Sequence, residues 1–309
     1  MRLALSTAPA ADAITIAEAR EWLNFVPGAV EDDTVLELLI DEVYDYLEHR
    51  LNRKICTQTW KIYLDECEVL SDIRLPLVPL VSVSSTSVKA TDSDGVQTTV
   101  TSTNYQVIAG ENPRIVVTED GEWPTDLRDY ECLEITAIVG YNGAKALYTG
   151  FQPFDVTMSG LNDMRASGTF TGTTKSTFEI VVTSTFYTSG SPSTTADVFK
   201  WRKITRSADG VKTYGAWTTS VKMTGSAQAL GSDGVSVTFD AIVGHSEGDK
   251  WTVQVYEVLP RRVKMLLKGL VLHFYATKGR GVMETVSGQL IGTPRILDYM
   301  IESMRVVPL

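Results

Sequence analysis

Cysteine is scarce: Cys56, Cys67 and Cys132 are the three in 309 residues, and none stands in a C-x-x-C pair. An odd count at irregular spacing excludes a complete disulfide framework, so they read as free thiols of a chain made in a reducing cytoplasm. Histidine is as sparse. His49, His245 and His273 lie too far apart for the H-x-x-x-H spacing of a helical metal site, and they read as surface or satisfied core residues. Neither a G-x-x-x-x-G-K-[ST] loop nor a G-x-G-x-x-G turn occurs, which removes the usual backbone cradles for nucleotide phosphates. The longest apolar run, residues 263–276, is broken by Lys264 and Lys268 and falls short of the roughly 20 residues a bilayer needs, so no membrane partner is expected. Residues 3–13 lack the solid hydrophobic stretch of a secretory signal and read as an extended arm. Positive charge is also short, with 28 Lys+Arg against 38 Asp+Glu and a net charge of -10. Adhesive nucleic-acid binding depends on neutralising phosphates and does not suit such a chain.

What is present is ordinary globular material, 43% hydrophobic, with its charge spread unevenly. Residues 1–141 carry 10 Lys+Arg against 25 Asp+Glu, and residues 258–309 carry 8 against 3. Thr15 and Glu18 form a capping box ahead of Ile16, Ala19, Trp22 and Leu23, predicting a helix near 16–24. Over 32–51, Val35, Leu38, Leu39, Val43, Tyr46, Leu47 and Leu51 recur at three- and four-residue steps, predicting a second helix. The period then changes to two. Trp60, Ile62 and Leu64 alternate with polar residues, as do Val81 and Val83, and further strands are expected near 105–107, 114–117 and 133–139.

From Gly143 to Tyr256 the composition turns to Ser, Thr and Gly with aromatics at intervals. Strands are expected at 178–183, 198–203, 216–220, 235–239 and 251–256, a pattern and length that fit an inserted immunoglobulin-like sandwich. Pro260 opens a helix with a stripe of Val263, Leu266, Leu267, Leu270, Val271, Phe274 and Tyr275, expected to pack on the 32–51 helix. A last helix from Arg295 to about Met304 would turn Ile296, Leu297, Met300, Ile301 and Met304 inward. The expected fold class is α+β. Residues 1–145 and 258–309 form a discontinuous helical domain with a small sheet, interrupted by an all-β domain over 146–257.

Chemistry is thin on this chain. Gly244-His245-Ser246-Glu247-Gly248 matches G-x-S-x-G, but a nucleophile elbow needs strand, sharp turn and helix, and the alternation from Lys250 continues as a strand. Asp92, Asp94 and Gly95 resemble the start of a calcium loop, yet Thr103 stands where a ligating Glu belongs. No catalytic residue, metal site or cofactor is assigned, and the chain reads as no enzyme. Glu37, Asp41, Asp45 and Glu48 line one face of the 32–51 helix; they form either a solvated face or a docking surface for a basic partner. Arg261, Arg262, Lys264 and Lys268 are candidates for that partner, from the same chain or a neighbouring copy. The basic, apolar end with Arg295, Arg305, Val306, Val307 and Leu309 reads either as a docking segment or as a helix closing the core.

The strings ITIAEAREWL, EDDTVLELLIDEVYDYLEHRLNRKICTQTWKIYLD, IRLPLVPLVSVS over 73–84, and ITAIVGYNG together resemble the phage head-tail connector (head-completion adaptor) family. The matching positions are Thr57-Gln58-Thr59-Trp60, Leu75-Pro76, Pro79-Leu80, Gly140-Tyr141 and Leu259-Pro260-Arg261-Arg262. The resemblance implies a mostly helical structural subunit of the virion neck, assembled in the bacterial host cytoplasm. It further implies a ring, commonly twelvefold, beneath the portal protein, extending the channel through which DNA passes without sequence-specific binding. A downstream neck or tail protein would dock on it, and 295–309 is the segment expected to reach the portal. Typical members run directly from the Gly-Tyr strand to the proline-started helix, so the inserted domain departs from the pattern. It leaves a second expectation open: a surface- or carbohydrate-binding decoration protein, with Trp201, Trp217 and Trp251 either as a sugar platform or as core.

Overall fold

The structure, a computed structural model, describes residues 1–25, 33–65, 68–152, 160–184, 196–207, 210–277 and 295–305. Helices and antiparallel sheets are mixed along the whole chain, which divides into two compact units. One comprises Met1–Pro9, Asp45–Gly143 and Arg295–Leu309, the other Ala10–Tyr44 and Ala144–Pro294. This division differs from the expected boundaries, because residues 10–44 and 258–294 group with the Ser/Thr/Gly-rich stretch.

The first unit is built mainly of sheet. Strands β1 (Arg2–Thr7), β2 (Gln58–Leu64), β4 (Leu80–Thr91), β5 (Gln97–Thr99) and β8 (Leu133–Val139) form a five-stranded sheet in the order β1-β2-β8-β4-β5. Strands β3 (Asp72–Arg74), β6 (Tyr105–Ile108) and β7 (Arg114–Val117) make a three-stranded sheet in the order β3-β7-β6. The period-two reading holds: Ile62 and Leu64 from β2 meet Leu133, Ile135, Ala137 and Val139 from β8 in one buried cluster. At about 1.5–3 kcal/mol for each large side chain removed from water, that cluster anchors the unit. The 3–13 arm is extended as expected but carries an edge strand, since β1 pairs antiparallel with β2 from Arg2↔Tyr63 onward. A small sheet in a mostly helical domain was the expectation; the alternating runs instead pair into two sheets that dominate this unit.

In the second unit, β9 (Lys145–Gln152), β11 (Lys175–Ser184), β12 (Val198–Arg206), β13 (Lys212–Tyr214), β14 (Thr218–Lys222) and β17 (Lys250–Glu257) form a six-stranded sheet. A three-stranded sheet holds β10 (Met164–Gly168), β15 (Gln228–Ala229) and β16 (Val235–Phe239). Phe178, Ile180 and Val182 alternate inward along β11, as do Trp251, Val253 and Val255 along β17, and they share one core with Met164, Val237 and Phe239 of the smaller sheet. Two sheets with facing apolar sides form a sandwich.

The helices follow their signals with three corrections. Helix α1 (Ile16–Trp22) has both halves of its capping box, Thr15 Oγ1 accepting from the Glu18 N–H at 3.1 Å and Glu18 Oε2 from the Thr15 N–H at 3.2 Å. Helix α2 (Asp33–Leu51) buries Leu36, Ile40, Val43, Leu47 and Leu51, whereas Leu38 is 65% exposed. Val43, Leu47 and Leu51 of the expected stripe are thus inward, while in the first half of the helix Leu36 and Ile40 take the inner positions in place of Leu38. Helix α3 (Arg261–Thr277) buries Val263, Leu266, Leu267, Leu270 and Val271, and the helix it packs on most closely is α1, not α2. Helix α4 (Arg295–Met304) turns Leu297 and Ile301 inward, but Ile296 is 69% exposed and does not join the core.

Candidate functional site

The acidic stripe of α2 is the strongest charge pattern in the sequence, and its own chain answers it residue by residue. In the second unit Glu37 pairs with Lys212 of β13, while Asp41 lies 3.3 Å from Lys175 and 3.4 Å from Arg206. Asp12 joins them, 3.3 Å from Lys175 and bonded to the Arg206 guanidinium. Burial alone would push Arg206 down, but Asp12, Asp41 and Glu37 around it hold its pKa above the ordinary value. In the first unit Glu48 pairs with Lys54 at 3.0 Å and accepts from the Ile55 N–H at 2.8 Å and Gln58 Nε2 at 2.9 Å. It closes the turn after α2. Asp45 stays on the exposed side of the helix.

Within the chain, part of the basic cluster opening α3 turns to α1. Lys264 and Lys268 lie 2.7 and 3.4 Å from Glu18, the capping-box residue of α1, while Arg261 and Arg262 are exposed. Burial raises the Glu18 carboxyl pKa, and the Lys264 bond, the Thr15 N–H and the charge of Lys268 bring it below the usual range. The sequence could not have shown these pairs, because Asp12, Lys175, Arg206 and Lys212 are far apart in the chain and carry no local signal.

Along these pairs runs an open cleft of about 310 Å³ in the second unit, lined by residues including Arg20, Asp33, Glu37, Glu179, Arg202 and Lys250. Its charges are already paired: Arg20 with Asp33, Glu37 with Lys212, and Glu179 with both Arg202 and Lys250.

The G-x-S-x-G string forms the turn into β17, with no helix after it. His245 is buried between two carboxylates, Asp197 Oδ2 at 3.0 Å from Nδ1 and Asp163 Oδ1 at 2.9 Å from Nε2. Each ring nitrogen is occupied, so neither is available as a base for Ser246. The Ser246 N–H donates to Asp249 at 3.0 Å, which also accepts from the Gly160 N–H at 3.0 Å. His245 is thus a satisfied core residue joining three loops, and the two aspartates were invisible in sequence. Asp92 accepts from the N–H groups of Asp94 and Val96 at 3.1 and 2.8 Å, which makes the 92–95 segment a hairpin turn. Among the described residues no group of three metal-ligating side chains assembles, and none of the described helices is long and apolar enough to cross a membrane.

The three tryptophans do not form one platform. Trp251 is buried in the sandwich core and Trp201 packs against it from β12. Trp217 lies over the sheet's other face, with the Arg202 guanidinium 4.3 Å and Lys200 Nζ 4.7 Å from its ring centre, and Arg202 also lies 4.7 Å from the Tyr214 ring.

Helix α4 is held to the first unit by two arginines. Arg53 Nε donates to the Met304 carbonyl at 2.8 Å, with its Nη1 on Glu111 and Tyr141, while Arg50 faces Asp298 and Glu302 at 3.9 and 3.8 Å. Arg295 is exposed, and Arg305 lies 3.6 Å from Glu302. Val306, Val307 and Leu309 lie outside the described residues, as does Cys67.

No family model matches the chain, and no curated protein matches it. Among solved structures, a protein from the neck of an empty gene transfer agent particle, computed with C6 symmetry, aligns over 100% of this chain and 97% of its own, at 13% identity and a TM-score of 0.50. A protein from the virion of the native gene transfer agent particle gives the same coverage at 14% identity and a TM-score of 0.49. A third, from the native neck computed with C12 symmetry, covers 46% of this chain and 70% of that one, at 22% identity and a TM-score of 0.38. At such identities the first likeness is one of fold, and it runs through the Ser/Thr/Gly-rich stretch as well as the helices.

Proposed function

We propose that this chain is a non-enzymatic structural subunit of the neck of a phage-like particle, an adaptor that acts as one member of a ring. The observation that carries the reading is the full-length likeness in fold to a gene transfer agent neck protein. The ordered motifs from Thr57-Gln58-Thr59-Trp60 to Leu259-Pro260-Arg261-Arg262 support it independently. A cleft with every charge paired and a turn whose histidine is occupied on both sides also favour work done by extended surfaces. In this reading the ring, twelvefold as is common in the family its motifs resemble, sits below the portal protein in the virion, lines the DNA channel and receives the next neck or tail component. Its subunits are assembled in the host cytoplasm. The segment from Arg295 through Arg305 to Leu309 reaches the portal, starting from an α4 anchored by Arg50 and Arg53. In this reading residues 146–257 are an immunoglobulin-like module inserted into an adaptor domain of 1–145 and 258–309.

A second reading has one specific observation behind it. Trp217 and Tyr214 flank Arg202 on the sheet face, and Tyr214 is exposed, so a surface glycan would find aromatic rings there. The buried Trp251 takes no part.

Light scattering of the purified chain, alone and with its portal ring, tests the first reading. A closed ring, or a complex of many copies formed with portal, is expected. A chain that stays monomeric and ignores portal overturns it and leaves a glycan screen of the whole protein to decide the second.

A further inference from the structure

The acidic residues that stand out in the sequence of α2 are mostly used inside the chain, which leaves a different face of the helix outward. Its exposed residues are Thr34, Leu38, Glu42, Asp45 and His49, at steps of four, four, three and four, so they form one stripe. Leu38 stands 65% exposed at its middle, and Glu42 has no ion pair among the described residues. Helix α3 presents a counterpart. Its exposed residues are Arg261, Arg262, Met265, Leu272 and Ala276, of which Met265 is 39% and Leu272 42% exposed, and the half-buried Gly269 lies between these two. On a helix of 3.6 residues per turn, Arg261, Met265, Leu272 and Ala276 fall within one narrow stripe with Arg262 at its flank. Neither arginine has an ion pair to its own chain among the described residues, and both sit in the first turn, where the helix dipole disfavours positive charge. One face is therefore apolar and acidic, the other apolar and basic, and the buried residues of each helix lie on its other sides.

We infer that the outward face of α3 on one copy docks on the outward face of α2 on the next, Met265 and Leu272 against Leu38 and the two arginines against Glu42. Pairing like with like is disfavoured, because α2 on α2 opposes carboxylates and α3 on α3 opposes guanidinium groups. Two different patches on one chain that fit each other give a head-to-tail contact, and such contacts close into rings. The inference rests on the ring reading above and names the surface that would build the ring.

Charge reversal tests it. Glu42→Arg, and separately the pair Arg261→Glu with Arg262→Glu, should each weaken self-association about 10-fold or more, since each places like charges in contact. Mixing the two variants should restore assembly, because every junction of an alternating ring is then opposite in sign. Circular dichroism matching the wild type shows that these exposed changes leave the fold intact. Wild-type chain that assembles while both variants assemble equally well overturns the α2–α3 contact but leaves the ring. Variants that lose assembly without recovery on mixing overturn it too. Wild-type chain that never assembles, alone or on portal, removes the ring reading itself.

Discussion

At the residue scale, His245 and Glu179 show how buried polar side chains are held in this chain. His245 bridges Asp163 and Asp197 in the core, and removing its ring takes a hydrogen-bond partner from each carboxylate. His245→Ala should therefore cost about 1–3 kcal/mol or more in denaturant unfolding, whereas Ser246→Ala beside it should stay within about 0.5 kcal/mol. For Glu179 burial alone would raise the carboxyl pKa, and the bonds from Lys250 and Arg202 reverse this and hold it below its ordinary 4.5. A carboxylate with a depressed folded pKa stabilises above the unfolded value, and that stabilisation is lost as pH falls through the folded value. The wild type should thus lose stability more steeply below about pH 4.5 than Glu179→Gln does, and acid titrations of unfolding midpoints would reveal an equal slope if the pairing contributes nothing. The Ser246 string was legible as a turn from the alternation at Lys250 onward. The aspartates around His245 were not, because residues 163, 197 and 245 meet only when both sheets close.

At the scale of elements, two helices separate what periodicity tells from what packing decides. On α2 the sequence offers apolar residues around more than half the helix, so period alone leaves the buried face uncertain by about one residue. Packing selects Leu36 and Ile40 and leaves Leu38 in solvent. Leu36→Ala is expected to cost about 2–5 kcal/mol through loss of burial and the cavity left behind, while Leu38→Ala should change monomer stability by less than about 0.5 kcal/mol. Equal costs in thermal or denaturant unfolding would contradict the orientation. On α4 the inward pair Leu297 and Ile301 is small for a ten-residue helix, so Arg53 on the Met304 carbonyl carries much of its anchoring. Arg53→Ala should raise amide exchange across 295–305 while leaving the β11 and β17 amides protected. Unchanged exchange over α4 would mean that Leu297 and Ile301 alone suffice.

At the scale of the whole molecule, residues 1–141 carry an excess of acidic charge and residues 258–309 an excess of basic charge, a distribution that the proposed head-to-tail contact would use. If exposed charges hold copies together, self-association should weaken as ionic strength rises past the point where the screening length falls below about 8 Å. Sedimentation across a salt series measures this, and association that strengthens with salt would point to an apolar interface. Strands such as β2, β8, β11, β12, β16 and β17, the capping box, the turn at 92–95 and the helices α1, α3 and α4 were legible in local pattern, because alternation, caps and proline act within a few residues. Only the tertiary structure decided that the alternating runs near the start build two sheets, that α3 lies on α1, and that Glu37 and Asp41 are answered by Lys212, Lys175 and Arg206. Those outcomes depend on groups brought together from distant parts of the chain, whose pairing energies exist only after the sheets have formed.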